Sequence, residues 1–591
     1  MHNALLFVEV IQNISYCADP TSTGSASLLA FACCCKSLEG PIMDVLWRRQ
    51  VDLCTILKSL PVDSWTINGR IFVREKPRSP IVSLFLPTPQ SLSRNLSRDE
   101  WRRFKKYTAR VITLEISKTN YVYQILRSRP QAWVSMETIQ LLGMESQRGG
   151  FWPRLCSLKY NTDWEIPFLS LFLTPTITEL DLTLPRGSNQ LLQPTLSLLA
   201  DKCRQFQSLT MDVDASSPLS GDEMGRLIAA SKRTLRCIRI RSPTPPDIFP
   251  EIFNLPQLQD LTLQEPHLPN QTSNASPRLQ AITFYGNHGP NLPRFLRRLT
   301  VPRLTKVMIS RGGIIQFSAF LEALRGARAT MSTLYLSPVI TIDHSNVTLL
   351  RSFINLTSLS VGCVCEDPQL SEPCGFKLTD EGVLKLGKAL PHIRLLSLGP
   401  NCRAPRHVTF RSLIYLSRTC GNLENLSIRV DFTSIAHGSD QLNRSNPSLG
   451  VNGVHPRRTT SKLGTLGVGN SPLPDTPRCE WVIALALVRN FPSIRFISSY
   501  CTEDMHKRWE EVEGDILVCN KIFHITQAIG KRLSVHVWQF GYRWIRFRHP
   551  TSSVKSRKNH IGRRPRWLLA FDWHDGWMDC RLWFVVCGTL K

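Results

Sequence analysis

The chain has 591 residues, of which 42% are hydrophobic and 20% charged, with a formal net charge of +26. That balance fits several folded domains or one extended repeat domain with appendages, and it excludes a disordered or fibrous chain. No apolar run is long enough to span a membrane, and ALLFVEVI at 4–11 holds Glu9 and lacks a basic flank or cleavage site, so neither a membrane span nor an export signal is expected.

Three short helical patterns open the chain. Leu6, Val10 and Ile14 recur at four-residue spacing, with Leu5, Phe7 and Ile11 widening the apolar stripe. Ser27 reads as an N-cap ahead of Leu28, Leu29, Ala32, Cys35 and Leu38. Gly40-Pro41 is expected to stop that helix and open a third, which carries Ile42, Val45, Leu46 and Trp47 to Arg48-Arg49. So short a segment cannot bury this much apolar surface alone, so part of it should meet a partner.

The order Leu5-Leu6, Glu9, Val10-Ile11, Ile14, then Leu28-Leu29-Ala30 into Cys35-Lys36-Ser37-Leu38, then Pro41 and Leu46-Trp47-Arg48 resembles an F-box. It is closest to the F-box proteins expanded in mushroom-forming fungi. The resemblance implies a three-helix module at 1–50 that docks on Skp1, and through it on a cullin, bringing a target protein to a cullin-RING ubiquitin ligase. The docking residues it implies are Leu5, Leu6, Val8, Glu9, Val10, Ile11, Ile14, Leu28, Leu29, Leu38, Leu46 and Trp47. Val8 stands where the family usually has proline, a residue that pre-sets φ at a helix start, so the first helix begins less firmly here.

Residues 51–104 are punctuated by proline, serine and basic residues and read as an irregular linker packed on the following domain, with Trp65 and Trp101 as its anchors. The family that the F-box resembles has a similar Leu-Pro-x-Asp-x-Trp at this point, matched by Leu60-Pro61, Asp63 and Trp65.

From residue 105 a period sets in: an apolar residue, two free positions, an apolar residue, one free position, an apolar residue. It occurs as VITLEI at 111–116, ITELDL at 177–182, FQSLTM at 206–211, LRCIRI at 235–240, LQDLTL at 258–263 and LQAITF at 279–284. It continues as LTKVMI at 304–309, MSTLYL at 331–336, LTSLSV at 356–361, IRLLSL at 393–398 and LENLSI at 423–428. Most starts lie about 20 to 30 residues apart, the spacing of leucine-rich repeats. Amphipathic stretches such as DEGVLKLGKALP precede several units. The expected fold class is therefore α/β: an N-terminal three-helix module, then a solenoid over 105–510 with parallel strands on a concave face and helices outside. Cys203 and Cys420 each fall three residues before a unit, which resembles the cysteine-containing repeats found behind F-boxes.

Within each unit the residue between the last two apolar positions should face the concave surface. The target-binding candidates are thus Asp181, Thr210, Arg239, Thr262, Thr283, Tyr335, Ser360, Ser397 and Ser427, with Glu115 and Met308 at equivalent positions. Small and hydroxylated side chains of this kind suit a folded protein or peptide better than a phosphate backbone.

Residues 433–476 break the period with a Gly/Ser/Asn/Pro-rich stretch that reads as a flexible insertion. Gly464, Gly467 and Gly469 lie there without the strand-to-helix order of a nucleotide loop. The period resumes once, at WVIALALVRNFPSIRFI, and closes near Trp509. Residues 511–591 form a basic, Trp-rich tail, expected to be poorly ordered.

Function divides three ways. A ubiquitin-ligase adaptor rests on two patterns in the expected order. A nucleic-acid-binding scaffold is the alternative raised by the net charge of +26, but the expected concave face is not basic, so nucleic acid is not the expected partner. An enzyme lacks support: Asp572, His574 and Asp575 read as a surface turn, and Cys363, Cys365 and Cys374 lack paired metal-ligand spacing. Neither metal nor cofactor is expected. The cysteines read as reduced thiols of a cytoplasmic or nuclear protein.

Overall fold

The computed structural model describes residues between 22 and 529, with interruptions of which the longest are 68–88, 118–132 and 436–460. The chain divides into two compact units, Met1–Lys521 and Ile522–Lys591, and nearly all the described residues belong to the first.

The period becomes a single 15-stranded sheet in which every strand pairs in parallel with the next one in the chain. Its strands are β1 (Arg49–Gln50), β2 (Thr113–Ser117), β3 (Ser157–Asn161), β4 (Glu179–Leu184) and β5 (Ser208–Val213). They continue as β6 (Cys237–Pro243), β7 (Asp260–Gln264), β8 (Ala281–Tyr285), β9 (Lys306–Ser310) and β10 (Thr333–Val339). The last are β11 (Ser358–Cys363), β12 (Leu395–Leu398), β13 (Asn425–Ile428), β14 (Thr465–Gly469) and β15 (Phe496–Ser499). β1 and β15 are its two ends, so the sheet is open. An α/β sheet of this order is compatible with a leucine-rich-repeat-like solenoid, each repeat contacting chiefly its neighbours.

Two features fix the register. Just before each strand one carbonyl accepts two N–H groups of the next repeat: Gln207 O takes Arg236 N and Cys237 N, Arg236 O takes Gln259 N and Asp260 N, and Gln259 O takes Gln280 N and Ala281 N. The same pairing runs on to Gly464 O, which takes Arg495 N and Phe496 N. The apolar residues of each unit then point to one side. Leu180 and Leu182, Leu261 and Leu263, Leu334 and Leu336, and Leu396 and Leu398 are all buried in one continuous core. A one-residue slip would turn every one of them to solvent, so burial holds the register.

Helices return the chain along the buried side. Gly221–Ala230 buries Met224, Leu227 and Ile228, and Phe410–Thr419 buries Leu413 and Leu416, the spacing of one helical face. Asp380 links successive repeats, accepting hydrogen bonds from the Thr409 N–H at 2.7 Å and the Thr409 hydroxyl at 2.8 Å.

Several boundaries differ from those read in the sequence. The N-terminal helices are α1 (Ser22–Cys34) and α2 (Lys36–Arg48), so Ser27 lies within a helix rather than capping it. Gly40-Pro41 likewise lies inside α2 rather than at its start. The earlier helical pattern, Leu5 to Ile14, lies outside the described residues.

Two repeats were missed. β3 follows Leu155, with Leu158 and Tyr160 buried, and β14 lies within the stretch read as an insertion, with Leu463, Leu466 and Val468 buried. Residues 461–476 are thus part of the solenoid, while 436–460 lie outside the described residues.

The boundary at 510 also moves. The helix Glu503–Ile529 buries Trp509, Val512, Ile516 and Cys519 in the repeat core, so residues 511–521 close the solenoid. Glu513 accepts the backbone N–H of Ile497 in β15 at 3.3 Å, which occupies a donor on an edge strand that otherwise invites another chain. Residues 530–591 lie outside the described residues.

In the segment read as a linker, Leu53–Leu57 forms a buried helical turn and Arg98–Thr108 a helix with a Ser97/Glu100 capping box. Trp101 stacks on Phe151 with ring centroids 5.8 Å apart; the Trp65 side chain lies outside the described residues. No helix among the described residues is long and apolar enough to cross a membrane.

Candidate interaction surfaces

The side of the sheet opposite the apolar core is an open face. In-register pairing places Glu115, Lys159, Asp181, Thr210, Arg239, Thr262 and Thr283 in one row across β2 to β8. The row continues through Met308, Tyr335, Ser360, Ser397, Ser427, Gly467 and Ser498. Every target-binding candidate from the sequence therefore stands in a single line. They are not equally accessible. Thr210, Thr262 and Thr283 are buried, a correction to their reading as contact residues: they form the floor of the face. Asp181, Arg239, Tyr335, Ser360, Ser397 and Ser427 are half-buried and available.

The face is chemically divided. Toward its N-terminal end charges are paired across strands: Lys159 with Glu115 at 2.8 Å, Arg239 with Asp260 at 3.0 Å, and Arg241 with Asp212 at 3.9 Å. Burial pushes the Asp212 carboxyl above its ordinary value, with Asp181 adding to the rise and Arg241 opposing it. Toward the C-terminal end the face is neutral, and Leu395 and Phe496 are exposed at 37% and 52%. Leu395 is adjacent in register to Ser358 and Asn425, and Phe496 to Thr465. Sequence reading missed these two because they occupy the second of the two free positions that open their units, not the one between the final apolar pair.

At the other end, α1 and α2 form a core of their own, made of Leu28, Ala32, Leu38 and Ile42 with Phe31 and Leu46 against it. Leu28 and Leu38, read in the sequence as docking contacts, are both buried within this core. Leu29 is presented outward at 52% exposure. Trp47 is half-buried against Tyr107, with ring centroids 4.7 Å apart, and belongs to the joint with the repeats. Arg110 spans the same joint, donating to the Gly40 carbonyl at 2.9 Å and to the Asp44 carboxylate at 2.6 Å. Leu5, Leu6, Val8, Glu9, Val10, Ile11 and Ile14 lie outside the described residues.

Cys203 and Cys420 are buried, their thiols directed at carbonyls of the preceding repeat: Thr174 for Cys203, Gly387 and Leu390 for Cys420. Burial pushes the Cys203 thiol up to about 12, which makes it a poor nucleophile. No group of three His, Cys, Asp or Glu among the described residues could hold a metal. Cys363 is buried in β11, whereas Cys365, Cys374, Asp572, His574 and Asp575 lie outside the described residues.

No family model matches the chain, and no curated protein matches it. Among solved structures, the leucine-rich repeat-containing protein LegL7 from Legionella pneumophila is similar over 45% of this chain and 91% of its own, at 16% identity and a TM-score of 0.29.

Proposed function

We propose that the chain is a substrate-recognition adaptor of an SCF-type cullin-RING ubiquitin ligase, binding Skp1 through residues 1–50 and a target protein through the open face of the sheet. The observation that carries this reading is the separate core of α1 and α2. A helical cap belonging to the repeats would share their core, whereas Leu28, Ala32, Leu38 and Ile42 cluster apart from it. The module still feeds straight into the sheet, because α2 ends at Arg48 and β1 begins at Arg49. A target on the open face is then held at a fixed offset from a partner on the helices, as ubiquitin transfer to a bound protein needs.

The open face supports protein capture through its composition. Exposed Leu395 and Phe496 supply apolar anchors, and the half-buried serines around them supply hydrogen bonds at low entropic cost. The chemistry of ubiquitin transfer falls to partner subunits on this reading. Its test is co-purification of the full-length chain with Skp1: a stoichiometric complex supports the adaptor, and no association at micromolar concentration removes its basis.

A further inference from the structure

The open face is not the only surface that the repeat generates. The segment just before each strand lies along one edge of the sheet, and there the tripeptide Pro-Arg-Leu occurs at 153–155, 277–279 and 302–304. In each case the leucine is buried while the proline and arginine are exposed. Arg204, Arg233 and Arg328 occupy neighbouring positions ahead of β5, β6 and β10, and they too are exposed. None of these six arginines is ion-paired with a described residue, although Arg278 donates to the Gln257 side chain.

The local helices do not account for this array. A helix C-terminus carries about half a negative charge, which a cation in its last turn offsets; Lys202, Arg297 and Arg298 already fill that role in Asn189–Lys202 and Asn291–Arg298. The six arginines lie beyond the helices, and the exposed acidic residues on the adjoining segments, Glu179, Asp201 and Glu322, are fewer than they are. The six positive charges fall one to three residues ahead of the buried residue that opens their units, and so border the same edge of the sheet from β3 to β10, seven strand spacings of about 4.8 Å or roughly 34 Å in all. Like charges held in a line destabilise one another unless a counter-charge comes from outside.

On the reading that the solenoid captures a protein, we propose that this edge binds an acidic, extended segment of that protein. The row is narrow, and about ten extended residues would span its length. No large aromatic side chain is exposed among the described residues along this edge, so it lacks the stacking platform on which single-stranded nucleic acids depend.

Fluorescence anisotropy of a labelled oligoglutamate of about twelve residues tests this with full-length protein. The variant Arg204→Gln/Arg233→Gln/Arg278→Gln/Arg303→Gln alters exposed side chains alone, and its thermal unfolding should match the parent's. Its affinity for oligoglutamate should fall about tenfold or more. A control variant, Arg543→Gln/Arg546→Gln/Arg548→Gln/Arg564→Gln, should bind like the parent. Equal binding by parent and edge variant, or loss in the control instead, overturns the proposal. So does tighter binding of a DNA duplex of about 20 base pairs that depends on the same four arginines, which would make the edge a nucleic-acid surface. Skp1 association of the edge variant, measured in parallel, should be unchanged; failure of the parent to bind Skp1 would remove the adaptor reading and leave the anisotropy result intact.

Discussion

Arg110 reaches back 66 residues to Asp44 at 2.6 Å and joins the N-terminal helices to the first long strand of the sheet. The arginine side chain is 18% exposed and the aspartate 48%, so solvent screens part of the attraction. The second bond, to the Gly40 carbonyl, holds the turn of α2 that the aspartate does not.

Arg110→Ala should therefore loosen the joint more than the fold, at a cost of about 1 kcal/mol. Hydrogen exchange should quicken in Lys36–Arg48 and stay unchanged in the central strands. Equal acceleration throughout would place Arg110 in the global stability of the repeats instead.

The two faces of the sheet make opposite predictions for residues of the same type. Leu263→Ala opens a cavity in the continuous core and should destabilise by about 3 kcal/mol. Leu395→Ser, on the open face, should change stability by less than about 0.5 kcal/mol while weakening capture of a target. Chemical denaturation of the two variants reads the orientation directly, and similar losses in both would contradict the register.

Glycine matters at two points in β14. A Cβ on Gly467 would collide with the Ser427 side chain across the sheet, and Gly469, at φ +52°, faces the Pro400 carbonyl. Gly467→Ala should cost about 1 to 3 kcal/mol through overpacking, and the double variant with Ser427→Gly should recover part of it. A melting temperature unmoved by Gly467→Ala would mean that β14 does not pack beside β13.

Those glycines also explain where sequence reading stopped. Leu463, Leu466 and Val468 carry the same period as the other units, but Gly464, Gly467 and Gly469 between them resemble a loop until the neighbouring strand shows why small residues are needed. β3 was hidden by Tyr160, which fills the last apolar slot with a partly polar side chain. The remaining repeats were legible because burial of alternate residues imposes a period that local sequence preserves. The joint between Arg110 and Asp44 was not, since nothing local ties two residues so far apart. The exposed edge could have been read from the three Pro-Arg-Leu tripeptides, each of which ends on the buried leucine that opens a unit.

Acid should act on the solenoid in two opposed ways. Asp212 has a folded-state pKa above its unfolded one, through burial. Its ionisation therefore disfavours the fold at neutral pH, and that penalty is relieved as pH falls through the raised value. Asp212→Asn should raise the melting temperature at neutral pH, with the gain shrinking in acid. Glu424 is held below its ordinary value by the Arg394 guanidinium. Its contribution is present above the unfolded pKa and lost as pH falls through the lowered one, so Glu424→Gln should matter at neutral pH and cease to matter in strong acid. Melting curves against pH for both variants check the signs.

The most direct measurement is the affinity of the full-length chain for Skp1, by calorimetry, beside the variants Leu6→Ala and Ile11→Ala. The adaptor account predicts one-to-one binding, weakened by about 2 kcal/mol or more in each variant, since such contacts concentrate binding energy in desolvated apolar anchors. Unaltered affinity in both variants, or no binding by the parent chain at micromolar concentration, would contradict it.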